Sequence, residues 1–495
     1  MALQSGTDGT LTTLGTKVVS YQHPVYQTYA PIWRKLAHVR EGAGGFLDGT
    51  YLIAHPREWK DYTAETPQVP TKKLKARRNL AAYENFASTI LDAKKSALFR
   101  ERPVRRLEGL PEDASRRGTI HDWWNGTEGV PSLDAQWPLI WDAAATFGHV
   151  VLYLEKDEND WPYLCAYTPL DVPDWMVDKR GNLTAVKFLE PVVRESLDQP
   201  LETAQFQVRV VTAEGWTVYG QDGKTTAQGE HGMGKLPVVI LYGGRRPITQ
   251  VIGQSVLNDP KLYIDVYNLL SELRELLRNQ TFSILNVPLG TGDAALSVET
   301  AKAMLDATTG TENVLFSGLS AGFIAADASN VKAYQEELDR RIRTIYRLAG
   351  IQWEADSRDA EAAGSLKIKR EDMNQRLAAY GDELERVEME LADLWYRAMY
   401  APEAGMVRKE REKPTIHYPD NFDVTPFEVV LQQAQSALAL DYPERFVKEL
   451  QKSLVGKFLP TASPALIAEL NVAIDQAVTA MVDPVGEALR RQVAA

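Results

Sequence analysis

Apolar positions along this chain alternate between a helical and a strand-like rhythm. Residues 74–99 read as one amphipathic helix, with Leu80, Tyr83, Phe86, Ile90, Leu91 and Leu98 at helical spacing and Lys94 among them. Before it, the aromatic residues Tyr21, Tyr26, Tyr29 and Trp33 lead into 35–40, and 52–59 follows a glycine-rich turn at 42–45. Residues 21–147 are therefore expected to be helical. From 148 to 243 the texture changes to short runs rich in Val, Tyr, Phe and Trp: 150–155, 163–167, 185–189, 206–211, 216–219 and 238–242. Asp, Asn, Gly and Pro clusters such as 178–182 and 220–223 separate them. Links this short leave no room for helical crossovers, so the sheet they predict is antiparallel.

After Asp259-Pro260 the helical rhythm returns. Tyr263, Val266, Leu270, Leu273 and Leu277 step by three and four, which predicts a helix over 260–280. Residues 281–330 break into short apolar pieces around Gly290, Gly292, Gly310, Gly318 and Gly322 and read as a small α+β insertion. A second helix over 331–349 carries Val331, Tyr334, Leu338, Ile342, Ile345 and Leu348 on one face. A loop, 350–364, precedes the strongest periodic signal in the chain: Met373, Leu377, Tyr380, Leu384, Val387, Leu391 and Leu394. That 4-3 pattern predicts one helix over 365–400, about 54 Å long at 1.5 Å per residue. Helices over 426–439, 442–454 and 464–491, broken by prolines, complete an α+β chain.

Charge and cysteine content narrow the function. The chain has 495 residues and a net charge of −12, whereas a protein that grips nucleic acid usually carries a basic excess. One local exception is 72–106, where eleven Lys and Arg meet three acids; it reads as a solvated face, with contact to an acidic partner or DNA as the functional alternative. The single cysteine, Cys165, allows no internal disulfide and suits a reducing compartment, where it serves as a small hydrophobe. No apolar run approaches the roughly 20 residues a membrane-spanning helix needs. Residues 1–16 are polar, lack a signal pattern and suggest a flexible arm on a protein that is not exported.

Enzyme-like motifs fail on physical grounds. GEHGMGK at 229–235 has phosphate-loop spacing, but Leu236 and Pro237 stand where a magnesium-holding Ser or Thr is required, and the next element is a strand instead of a helix. GLSAG at 318–322 has the spacing of a nucleophile elbow, with His417 downstream, which makes a serine hydrolase using Ser320 and His417 the rival reading. The segment after Ser320 is too short and too strand-like for the helix an elbow needs. The seven histidines are scattered, so no metal or cofactor site is expected. The acids Asp382, Glu383, Glu385, Glu388, Glu390 and Asp393 spread around their helix and suggest a charged surface.

The order of these segments resembles a family. GHVVLYLE at 148–155, Trp161-Pro-Tyr163, Trp175, QVRVV at 207–211 and LPVVILY at 236–242 are similar to the β-rich wing of tailed-bacteriophage portal proteins. The stretch from Ser255 through Asp259-Pro260 to Leu277 resembles the helix that enters that family's stem. The resemblance covers about residues 20–400 and rests on arrangement, not on one diagnostic motif.

The resemblance implies a portal fold: arm 1–20, wing 21–259, stem helices 260–280 and 331–349, clip 281–330, tunnel loop 350–364, long wing helix and return 365–424, and helical crown 425–495. It implies a structural protein and no enzyme: a ring, usually of twelve copies, at one capsid vertex of a virion assembled in the bacterial cytoplasm. Its partners would be the terminase large subunit, head-completion and adaptor proteins, major capsid and scaffolding proteins, and the double-stranded DNA passing through; no membrane is involved. The tunnel loop would present Glu354, Asp356, Arg358, Asp359 and Glu361 to DNA. The clip would offer Asp293, Glu299, Lys302, Asp306 and Glu312 to terminase and adaptors. Arg340, Arg341, Arg343 and Arg347 could touch phosphates, although pairing between subunits with Glu336, Glu337 and Asp339 is preferred. Over twelve copies the charge reaches about −144, a field that lets DNA slide instead of holding it.

Overall fold

The computed structural model describes residues 15–54, 58–60, 69–70, 72–107, 120–126, 130–192, 206–244, 246–247, 251–281, 284–288, 299, 314–317, 322–324, 329–351, 363–400, 414–419, 422, 448, 451–452, 455 and 464–477. These divide into two units, 1–422 and 423–495. In the second, α9 (Pro464–Ala477) accounts for part of the helix expected over 464–491, and most of 426–454 lies outside the described residues.

In the first unit, α1 (Pro24–Glu41) begins where the His23 ring accepts the Val25 N–H at 3.2 Å and ends at Gly42. It takes in the aromatic segment as well as 35–40, because Tyr26, Ala30, Trp33, Leu36 and Val39 form one buried stripe. Residues 15–20, expected within a flexible arm, are helical. The single helix expected over 74–99 is two: α2 (Lys72–Leu80) and α3 (Phe86–Leu98). The break at 81–85 has a cause. Asn85 caps α3 by accepting the Ser88 N–H at 2.9 Å and donates to Arg40 O at 2.9 Å, while the Tyr83 hydroxyl donates to Val39 O at 2.8 Å. These polar ties to the end of α1 displace helical turns, and Leu80 is left 51% exposed.

After α4 (Ile120–Asn125), α5 (Leu133–Phe147) is capped by Ser132 and stops at Gly148, φ 96°. There the backbones of 148 and 253 touch: a Cβ on Gly253 would lie 2.2 Å from Gly148 O. The predicted strands come next. In one sheet β11 (Val238–Tyr242), β4 (His149–Lys156) and β5 (Pro162–Tyr167) lie in that order, antiparallel. In the other, β6 (Asp174–Val177), β7 (Leu183–Pro191), β8 (Phe206–Thr212), β9 (Gly215–Tyr219) and β10 (Thr225–Glu230) form an antiparallel meander. β4 is buried on both faces, with Val150, Leu152 and Leu154 in the large helical core and Val151 and Tyr153 packed with Val186, Phe188 and Val211 of the second sheet. Its unbroken apolar run is the consequence.

Then α6 (Lys261–Thr281), a small sheet of β12 (Ile284–Pro288), β13 (Val314–Ser317) and β14 (Gly322–Ile324), and α7 (Ser329–Leu348) succeed one another in the expected order. The long helix α8 (Ala363–Tyr400) has 38 residues. Short strands β1 (Trp59–Lys60) and β2 (Val69–Pro70) pair within the region expected to be helical, and β3 (Val104–Leu107) pairs antiparallel with β15 (Pro414–His417).

The acid-rich side of α8 is not simply a charged surface. Glu388 is fully buried. It takes Arg105 Nη2 at 3.2 Å and a second bond from Arg105 Nε, and it accepts the Tyr418 hydroxyl at 2.8 Å; Arg105 also reaches Asp134 at 2.7 Å. Periodicity placed the acid correctly on its helix but could not show that an arginine nearly 300 positions away would pull it inward.

Candidate functional site

The feature that stands apart from the packed body is the α6–α7 hairpin. Two side-chain bonds fix its direction. Tyr334 donates to Glu272 at 3.2 Å, and Arg341 Nη1 reaches Asp265 at 3.0 Å, so seven residues forward on α7 match seven backward on α6. The helices are therefore antiparallel.

Burial falls along the hairpin. Near the body, Tyr263, Val266, Tyr267, Leu270, Ile342, Ile345, Tyr346 and Ala349 all enter the main core. Asn268 anchors the same end, accepting the Ile53 N–H at 2.7 Å and donating to Tyr51 O at 3.0 Å. Farther out, Arg274, Glu275, Leu277 and Arg278 on α6 and Lys332, Ala333, Gln335 and Glu336 on α7 are exposed. By connectivity β12, β13 and β14 sit at the far end, with β12 central, parallel to β13 and antiparallel to β14.

The four arginines of α7 separate into two kinds. Arg340 donates twice to Glu337, at 2.7 Å each, and Arg341 donates to Glu337 at 2.8 Å as well as to Asp265. Hydrogen bonds from Arg340 and then Arg341 push the Glu337 carboxyl down to about 2. Glu337 is thus engaged within its own chain, where the sequence pattern suggested pairing between copies. Arg343 and Arg347 are exposed on the same helix, one turn apart.

The basic stretch 72–106 is divided: Lys75, Arg100 and Arg102 are exposed, as a solvated face would be, while others turn inward. Arg77 pairs with Glu58 at 2.8 Å, Lys95 meets Asp92 and Asp142 at 2.9 Å each, and Lys94 is fully buried with its ammonium 5.4 Å from the Tyr380 ring centre. Arg105 belongs to the Glu388 cluster. That Arg77, Lys95 and Arg105 turn inward was not legible, because Glu58, Asp142 and Glu388 come from other parts of the chain.

Other sequence-predicted residues scatter. Glu354, Asp356, Arg358, Asp359 and Glu361 lie outside the described residues, as do Asp293, Lys302, Asp306, Glu312 and Ser320; Glu299 is described, with a helical backbone. His417 is on β15, its Nδ1 3.6 Å from Glu385 and its side chain 65% exposed. β13 stops at Ser317 and residues 322–324 form another strand, so a strand stands where an elbow would place its helix. The 229–235 loop runs from β10 to β11, the reverse of a phosphate loop's strand-to-helix order. Cys165 is half-buried and burial pushes its thiol up to about 12, which keeps it protonated at neutral pH. Among the described residues, no three metal-binding side chains gather and no helix is long and apolar enough to cross a membrane.

No family model matches the sequence, and no curated protein does. Among solved structures, a chain from the neck of an empty GTA particle with C6 symmetry is similar at 12% identity and a TM-score of 0.35, over 72% of this chain and 86% of that one.

Proposed function

We propose that this chain is the subunit of a portal: a ring at one vertex of a tailed-phage capsid through which double-stranded DNA is packaged and later released. The observation that carries the reading is the antiparallel α6–α7 hairpin, rooted in the core at one end and bearing a small sheet at the other. Side-by-side copies of such an element could form the wall of a ring. The outer halves of α6 and α7 are largely exposed in one chain, and short helices with little packing are marginal in water. Neighbouring copies on both sides would supply further contacts.

The rest of the order supports the same reading: a two-sheet region before the hairpin, the insertion at its tip, and the 38-residue α8 after it. In this arrangement β12–β14 form the clip that meets terminase and adaptors, and α8 is the long wing helix. The net charge of −12 suits a conduit wall that DNA must slide past. Arg343 and Arg347 are the cations of α7 placed to meet phosphates or the adjacent copy.

Purified protein imaged by negative stain tests this. Annular particles with a stain-filled centre support it, and uniformly small, solid particles overturn it.

A further inference from the structure

We propose that residues 15–21 are a strap, closed over the outer face of the five-stranded sheet by Lys187, and that the strap opens as a unit to uncover that face.

The sheet has two sides. Val186 and Phe188 of β7 turn inward to Val151 and Tyr153. Lys187, between them, must turn outward, and its register partners Asp174 on β6 and Val210 on β8 stand beside it in one row. A lysine on an open sheet face would be well solvated, yet Lys187 is only 4% exposed. What covers it is the start of the chain. Residues 15–20 form a short helix, and the Lys187 ammonium donates to Val18 O at 2.9 Å and to Tyr21 O, with the Tyr21 ring centre 5.8 Å away. Carbonyls at a helix end lack intrahelical partners and favour a cation. The Asp174 carboxylate stands 3.9 Å from this ammonium.

A second fastening lies at the strap's other end. Gly15 meets the turn between β9 and β10 so closely that a Cβ on it would lie 1.8 Å from Gly223 O, and the Thr16 hydroxyl donates to Asp222 O at 3.4 Å. The hinge is at residue 22. Immediately after it His23 is pinned to the body, its N–H donating to Pro173 O at 2.9 Å and its ring stacked 4.4 Å from Trp175.

Between these fastenings the strap packs poorly. A cleft of roughly 380 Å3 remains beneath it, with Val18 and Tyr21 on the strap side and Met176, Ala185 and Val210 on the sheet side. The cleft is open to solvent and leaves Ala185 and Val210 only half-buried, and closing the strap strips water from an ammonium, which burial disfavours. Two point fastenings over a gap make a segment that detaches before the sheet itself unfolds. Opening would expose Ala185 and Val210 next to Met176, already 64% exposed on edge strand β6.

Hydrogen exchange read by mass spectrometry on the full-length chain tests this, with Lys187→Met and Gly15→Ala as separate variants. Amides of 18–22 should exchange roughly tenfold faster in each variant while those of β7 and β8 keep their protection. Lys187→Met should also bind more of the dye anilinonaphthalene sulfonate than the parent chain. Unchanged exchange of 18–22 in both variants would overturn the proposal. So would equal loss of protection in β7 and β8, since the strap would then belong to the sheet's own cooperative unit.

Discussion

Glu388 sits where the β3–β15 pair crosses α8, and three hydrogen bonds from two residues, Arg105 and Tyr418, converge on its carboxylate. Replacing it with Ala leaves the Arg105 guanidinium, 9% exposed, beside Asp134 alone and strands the buried Tyr418 hydroxyl. Breaking a buried pair from one side costs about 3–5 kcal/mol. Glu388→Ala should therefore lower stability in chemical denaturation by that order, while Glu385→Ala, on the exposed side of α8, should change it by about 0.5 kcal/mol or less. His149 gives a second residue-scale prediction. It is buried between Trp33 and Tyr242, its Nδ1 accepts the Gly253 N–H at 3.4 Å, and burial holds its pKa down to about 3. The unfolded chain protonates this ring below about 6.5. Between those values the unfolded state binds the extra proton, so stability present above pH 6.5 drains away as pH falls toward 3. By pH 5 the loss is about 2 kcal/mol. His149→Gln should flatten that part of the stability-against-pH curve. Neither environment was legible beforehand, since each depends on partners far away in sequence.

At the scale of elements, periodicity worked where one face of a segment packs on one neighbour. The stripe at Tyr263, Val266, Leu270 and Leu273 and the 4-3 pattern through Leu384, Val387, Leu391 and Leu394 both mark helices whose named residues are buried. It overreached at 74–99, where apolar spacing runs through a break made by polar contacts from Tyr83 and Asn85 to the end of α1. Asn85→Ala should cost about 1 kcal/mol and fray the start of α3, measurable as faster amide exchange there. The strands were legible from β-branched and aromatic runs, but the division into two sheets was not. That division stems from β11 pairing with β4 across more than eighty residues, and short-range pattern carries no record of such a partner.

For the whole molecule, the outer half of the hairpin leaves apolar surface uncovered within one chain. Leu277 on its outer half is 42% exposed. If copies pack along this surface, Leu277→Asp should weaken assembly while leaving the unfolding of the single chain nearly unchanged, a separation visible by comparing particle mass with circular dichroism melting. The order of segments was readable from the sequence, whereas the decline of burial along α6 and α7 needed coordinates. The most direct measurement is the mass of the purified particle in solution by native mass spectrometry. A portal subunit of 55.3 kDa should give closed assemblies near twelve copies, about 660 kDa. A population made up only of monomers or dimers at micromolar concentration would contradict the ring.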